Sequence, residues 1–180
     1  MSEQQSESPA QLADGSAPST PDDLFRMLED LGIETDTMHH PPVFTVDEAK
    51  ALRGELSGGH TKNLFLRNKK GRMWLVVCLE DRDIDLKQLG ERMESGRLSF
   101  GSADRLMTYL GVIPGAVTPF SLLNDRTGAV TAVLDKGMLE SFARLNFHPL
   151  DNAMTTGIAP GDLVRFVEAT GHTPVHLDFD

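Results

Sequence analysis

The sequence predicts an α+β fold, with a mixed or antiparallel, barrel-like sheet packed by helices. Three observations predict it. Short runs of strand character recur along the chain, and one of them, Met73 to Glu80, is nearly all apolar, as a central strand must be. Helical signals interrupt these runs in an irregular order, unlike the strict strand–helix alternation of a doubly wound sheet. No internal repeat and no dinucleotide or P-loop fingerprint is present.

Met1 to about Ser19 is rich in Ser, Gln, Glu, Pro and Ala. Such a stretch cannot bury enough surface to offset its ordering, so residues 1–19 are expected to form a mobile tail and residues 20–180 a single domain. Thr20-Pro21-Asp22-Asp23 then starts a helix: Thr20 can cap, Pro21 suits the first turn, and the acids sit at the positive end of the dipole. Leu24, Leu28 and Leu31 share one face, and Gly32 can end the helix. Ile33 to His39 alternates and reads as a strand. His40-Pro41-Pro42 breaks it into a rigid corner beside Val43 and Phe44. Thr45 to Arg53 reads as a short helix, with Thr45 and Glu48 at capping-box spacing and Gly54 after its end.

Gly58-Gly59-His60-Thr61-Lys62-Asn63 follows as a loop that runs into the apolar strand Leu64 to Asn68. This spacing predicts Lys62 and Asn63 at the mouth of a sheet, where a cation and an amide can face a ligand. A hairpin about Asn68-Lys69-Lys70-Gly71 leads to the strand Met73 to Glu80. Ile84 to Met93 reads as a helix, Arg97 to Phe100 as a short strand, and Ser102 caps a helix that Gly111 ends. Gly111 to Phe120 is a loop held by two prolines and two glycines. Strand signals return at Val130 to Leu134, Leu145 to Pro149 and Thr155 to Ile158. A helical turn occupies Gly137 to Phe142, a last helix runs from Ala159-Pro160 to Ala169, and His172 to Phe179 closes the fold as a strand.

The chain has 180 residues and a formal net charge of -10. That charge argues against gripping nucleic acid over a broad surface, but it leaves room for taking one end of a nucleic acid into a pocket. The cations Lys62, Arg67, Lys69, Lys70 and Arg72 gather around one hairpin, which is either a phosphate-facing patch or a solvated hairpin tip. The lone cysteine, Cys78, lies in an apolar run and reads as a buried small hydrophobe. No apolar stretch is long enough to span a bilayer and the N-terminus lacks a signal core, so the cytoplasm is the expected compartment.

The six histidines show no metal-ligand spacing, so neither a metal nor another cofactor is expected. No Gly-x-Ser-x-Gly elbow is present. The remaining candidates are Lys62, Asn63, the Gly/Pro loop and His148. This set fits hydrolysis of an activated ester, where positioning and oxyanion stabilisation suffice. On its own, a histidine placed like His148 is more often a hydrogen-bonded structural group than a catalyst.

Four motifs in order carry a resemblance. They are His40-Pro41-Pro42-Val43-Phe44-Thr45, Lys62-Asn63-Leu64-Phe65-Leu66, Gly111 to Pro119, and Asn146-Phe147-His148-Pro149-Leu150-Asp151-Asn152. Over Asp22 to Asp180 the chain resembles the YbaK/ProX superfamily of aminoacyl-tRNA deacylases, and within it the free-standing ProXp-ala (PrdX) group. The resemblance implies hydrolysis of alanine mischarged onto tRNA(Pro), without metal and with help from the substrate's terminal 2′-hydroxyl. It places the functional lysine and its asparagine neighbour on Lys62 and Asn63 and the histidine on His148. It places the substrate-binding loop on Gly115, Ala116, Val117, Thr118 and Pro119, with Phe44 beside it. Lys62 would orient the tRNA 3′ end, Asn63 would hold substrate or water, and loop amides would bind the adenosine or the carbonyl. The implied partners are the acceptor end of a mischarged tRNA and prolyl-tRNA synthetase.

Alanine is smaller than proline, so a pocket that admits it can exclude the correct product by size. Cysteine or serine in place of alanine, a non-catalytic module for a tRNA end or a synthetase, and a plain acidic α+β domain with a small-molecule ligand stay open as rivals.

Overall fold

The computed structural model describes residues 10–42 and 58–180. Helix α1 spans Pro21–Asp30 and opens on a full capping box: Asp23 N–H donates to Thr20 Oγ1 at 3.2 Å and Thr20 N–H to Asp23 Oδ2 at 2.8 Å. Its Leu24 and Leu28 are buried. Strand β1 is Thr35–His39, β2 is Thr61–Arg67 and β3 is Met73–Leu79. After β3 come helix α2 (Leu86–Arg92), strand β4 (Ser99–Phe100) and helix α3 (Ala103–Leu110). Ser102 caps α3, and Gly111 ends it in a left-handed conformation. A 3-10 turn at Pro119–Asn124 precedes β5 (Val130–Asp135) and α4 (Lys136–Ser141). Strands β6 (Leu145–Phe147) and β7 (Met154–Ile158), helix α5 (Pro160–Ala169) and strand β8 (Val175–Leu177) complete the order. The helix read at Thr45 to Arg53, and Val43 and Phe44, lie outside the described residues.

The fold is α+β, and among the described residues its strands form two sheets rather than a closed barrel. The smaller has the order β1-β7-β6 and is antiparallel throughout. The larger has the order β4-β2-β3-β5-β8, antiparallel from β4 to β3 and parallel from β3 to β8. A parallel bridge between Gly59 and Leu145 joins the two. Strand β3 sits between β2 and β5, which explains its unbroken apolar run: six of its seven residues are buried. Its odd-numbered residues Met73, Leu75 and Val77 join the main core with Leu24, Phe120, Phe166 and Leu163. Its Trp74 and Val76 face a second core with Leu66, Leu89, Leu98 and Val133.

Residues 10–19 are not the loose tail expected from their composition. Leu12 is buried, Ala13 N–H donates to the Thr108 carbonyl, and Ser19 N–H donates to Asn124 Oδ1. Backbone hydrogen bonds and one leucine seated against Gly111 supply the ordering that overall composition hides.

A second structural tie needs no ligand either. Asp125 is buried and accepts from Ala129 N–H, Val130 N–H and His172 Nε2, the last at 2.8 Å. His172 thus fastens the approach to β8 onto the start of β5.

Candidate active site at the junction of the two sheets

Strand β2 begins at Thr61, three residues earlier than its apolar character indicates. Lys62 and Asn63 are therefore inside a strand, not in the loop before it. Successive strand residues point to opposite faces. Asn63 pairs across the ladder with Val77 and shares the face of Thr61 and Phe65, toward the main core. Lys62 pairs with Cys78 and leaves the other face, where its ammonium donates to the Arg82 carbonyl. The two side chains thus leave opposite faces of β2.

The glycines before β2 also differ from the flexible hinge that the sequence suggests. A Cβ on Gly58 would stand 2.7 Å from the Arg144 carbonyl oxygen, and one on Gly59 would stand 2.8 Å from the Phe142 ring. The pair lets two backbones approach. Gly59 N–H donates to the Arg144 carbonyl, Asn146 N–H donates to the Gly59 carbonyl, and Thr61 Oγ1 donates to the Asn146 carbonyl at 3.0 Å. The Gly59–Leu145 bridge is parallel, so Asn63 and His148 advance in the same direction from it. The bridge and the Thr61 hydrogen bond hold the start of β2 against the Leu145–Asn146 backbone, and Asn63 follows Thr61 on the same face of β2.

Beyond Thr61 the Asn63 side-chain oxygen is buried and accepts no hydrogen bond from the described residues. His148 Nδ1 lies 2.8 Å from the Met154 carbonyl. A carbonyl only accepts, so Nδ1 carries the proton and Nε2 keeps its lone pair in the neutral ring. Burial lowers the His148 pKa below its ordinary value, against the opposing Met154 hydrogen bond, and so favours that neutral form. The His40 ring stands 6.1 Å away across β7, with Nε2 at 2.8 Å from Thr155 Oγ1 and Nδ1 donating to the Pro41 carbonyl.

The Gly/Pro loop divides in two. Its second half is structural: Ala116 is buried and its N–H donates to the Ile113 carbonyl. Thr118 is buried, and its Oγ1 accepts from Phe120 N–H while its carbonyl accepts from Ser121 Oγ. Pro119 opens the 3-10 turn, and Phe120 stacks edge-on between Phe147 and Phe166 at 5.9 and 5.3 Å. Each such aromatic pair contributes about 0.5–1.5 kcal/mol beyond burial. Phe147 precedes His148, so this stack ties the loop to the histidine's segment. Gly115 is exposed with φ of 87°, and Val117 packs partly buried against the core. The Ala116 amide is thus already engaged, which removes it from the loop amides expected to meet a substrate. Phe44 lies outside the described residues.

On the reverse face, beside Lys62, Arg82 bridges Asp135 and Asp180. Those two hydrogen bonds, Asp180 first, raise the guanidinium's pKa above its ordinary value. Burial pushes the Cys78 thiol up to about 11, with Lys62 opposing, so this cysteine is no nucleophile at neutral pH.

The sequence profile of the aminoacyl-tRNA editing domain matches residues 40–166. The chain belongs to the aminoacyl-tRNA editing domain family, within the YbaK/ProX superfamily. It is 43% identical over 171 residues to the prolyl-tRNA synthetase associated domain-containing protein 1 of Danio rerio, covering 92% of this chain and 93% of that one. It is 42% identical over 151 residues to the prolyl-tRNA editing protein ProX of Acetoanaerobium sticklandii, covering 83% and 92%. A crystal structure of a candidate trans-editing enzyme for prolyl tRNA synthetase shares the fold, with a TM-score of 0.66 at 21% identity over 90% of this chain and 99% of that chain. The matched span starts at His40 and takes in β2, the Gly/Pro loop and His148. It includes His40 and Thr155, which the sequence reading did not place in the site. His40 opens the first motif, and its approach to His148 depends on the β1–β7 pairing, which spacing along the chain does not reveal.

Proposed function

We propose that this protein is a trans-editing hydrolase that deacylates alanyl-tRNA(Pro), splitting the ester between alanine and the terminal ribose. The observation that carries the reading is the Asn63 side-chain oxygen, buried without a donor among the described residues, on the strand that Thr61 fastens to the segment leading to His148. A buried acceptor without a donor is costly unless a ligand supplies one. The α-ammonium of an aminoacyl ester is such a donor, and a charge-assisted bond is the stronger kind. The editing-domain family, the editing name of the Acetoanaerobium sticklandii relative and the coverage of over nine-tenths of both relatives support the substrate class.

His148 Nε2 then accepts the proton of the ribose 2′-hydroxyl or of the attacking water. Water adds to the ester carbonyl, and the 3′-oxygen leaves with a proton. Lys62 reaches the RNA end only by exchanging the Arg82 carbonyl for the substrate. Alanine is admitted and proline excluded by size.

The test is deacylation of alanyl-, cysteinyl-, seryl- and prolyl-tRNA(Pro) at catalytic enzyme levels, with and without the terminal 2′-hydroxyl. Multiple turnovers on the alanyl ester alone, lost with the 2′-deoxy substrate while binding survives, are expected. Preference for another amino acid overturns the specificity. Undiminished turnover without the 2′-hydroxyl overturns the mechanism. Stoichiometric protection of the ester in place of turnover makes the protein a binding module.

A further inference from the structure

The protein is acidic, yet residues 61–79 contain five cations and no Asp or Glu, and residues 95–103 and 105–124 contain no Asp or Glu either. The fold brings these acid-free segments together. Strand β4 pairs with the far end of β2, Ser99 opposite Arg67 and Phe100 opposite Leu66. Arg105, on the first turn of α3, approaches within 4.0 Å of where a Gly71 Cβ would lie. Arg67, Lys69, Lys70, Arg72 and Arg105 therefore surround one end of the molecule, with Asp104 the one carboxylate next to them in sequence.

Their pairing differs from that of five other arginines, though not from that of Arg92 and Arg97. Arg26, Arg82, Arg126, Arg144 and Arg165 each hold a carboxylate. Among the described residues, none of the five hairpin cations has a carboxylate within ion-pair distance. The hairpin tip itself is fixed. Asn68 N–H donates to the Arg72 carbonyl, Arg72 N–H to Asn68 Oδ1, Gly71 N–H to the Asn68 carbonyl, and Asn68 Nδ2 to the Ser95 carbonyl. Lys69 and Lys70 on this turn are exposed. Beside them Phe100 is 62% exposed, a large aromatic on a short edge strand.

We propose that this end of the molecule is a second RNA contact, which holds backbone phosphates of the tRNA away from the reacting ester. The inference rests on the reading of the junction as a site for a tRNA end. Unpaired cations on a fixed turn match closely spaced phosphates, and an exposed aromatic offers a face on which a base or ribose can stack. Lys69 lies six residues along the chain from Asn63, or about 20 Å at strand rise. A ligand that touches both must be long and polyanionic, which a free amino acid or nucleotide is not. The same arrangement lets a protein of net charge -10 bind RNA at one end while the rest repels it.

The test compares Lys69→Gln/Lys70→Gln/Arg72→Gln with a control, Arg26→Gln/Lys87→Gln/Lys136→Gln, which removes the same charge from exposed positions elsewhere. Binding of uncharged tRNA(Pro) is measured from about 50 to 200 mM salt. The hairpin triple is expected to flatten the log–log salt slope by about 2–3, the share of three phosphate contacts. The control should match the parent. Deacylation by the hairpin triple should show KM raised roughly 10-fold or more, with kcat kept. Because binding is read on uncharged tRNA, a protein that never turns over but shows the hairpin-dependent slope keeps this contact and loses the proposed activity. A hairpin triple with parental slope and KM overturns the contact, even where the patch then binds an acidic protein surface. An equal loss in the control overturns it too, since net charge would then explain the binding.

Discussion

Replacing Asn63 with leucine separates folding from function at the junction. The Asn63 oxygen is buried and lacks a donor among the described residues, and its side chain lies opposite Val77 on the face of the main core. An unsatisfied buried acceptor costs about 1–3 kcal/mol. Leucine has nearly the same shape and no polar atom, and part of its gain is offset because the Asn63 residue is only half-buried. The expected net change is a stabilisation of about 1 kcal/mol, or roughly 2–4 °C in Tm for a domain of this size. The same change removes the acceptor for the substrate's ammonium. A lost hydrogen bond to a charged group, about 1.5–3 kcal/mol, lowers kcat/KM about 10- to 150-fold. Trp74, the single tryptophan and 4% exposed, reports urea unfolding by fluorescence, and deacylation of alanyl-tRNA(Pro) reports activity. A Tm several degrees below the parent would show that the oxygen has a partner in the folded protein. A raised Tm with full activity would remove Asn63 from the chemistry.

Two further outcomes test the junction. Gly58→Ala combines a φ of 105° with a Cβ 2.7 Å from a backbone oxygen, so urea unfolding should show a loss of about 2–4 kcal/mol; parental stability would show that the two sheets do not approach so closely. For His148, burial lowers the folded pKa below the ordinary 6.5, so the neutral ring persists through neutral pH. Both the activity and the stability that depend on neutral His148 are present above about pH 6.5 and are lost as pH falls below it. The acid limb of kcat/KM should therefore lie below pH 6.5 and vanish in His148→Gln; a limb that persists in that variant belongs to another group.

Local physics made much of the fold legible in the sequence. Thr20, Ser102 and Gly111 cap helices through contacts within a few residues, and the apolar run of β3 follows from its central place. What escaped depends on contacts distant in sequence. Residues 10–19 read as a tail because small and polar residues dominate them and Leu12 is their one large apolar side chain, yet their order comes from Thr108 and Asn124. The start of β2 at Thr61 is set by pairing with Leu79, since Lys62 and Asn63 are of types depleted in strands and interrupt the signal that Thr61 carries. The division into two sheets depends on which strands find each other, and no periodicity encodes that.

The three-residue difference in where β2 starts changes how a lysine variant must be read. In a loop, Lys62 and Asn63 could turn to one ligand; in a strand, parity sends them to opposite faces. Lys62 holds the carbonyl of Arg82, whose guanidinium in turn gathers Asp135 from β5 and Asp180 near the chain's end. Removing the ammonium therefore perturbs a network behind the sheet as well as any contact with RNA. Lost activity in Lys62→Ala does not by itself place the ammonium at the ester. Lys62→Arg keeps a cation with a different reach, and Arg82→Gln disturbs the network while leaving Lys62 in place. If Arg82→Gln reproduces the loss, Lys62 acts through the network as a positioning residue. If Arg82→Gln stays active while both lysine variants fail at undiminished stability, the ammonium itself meets the substrate, and the exchange away from the Arg82 carbonyl is part of binding.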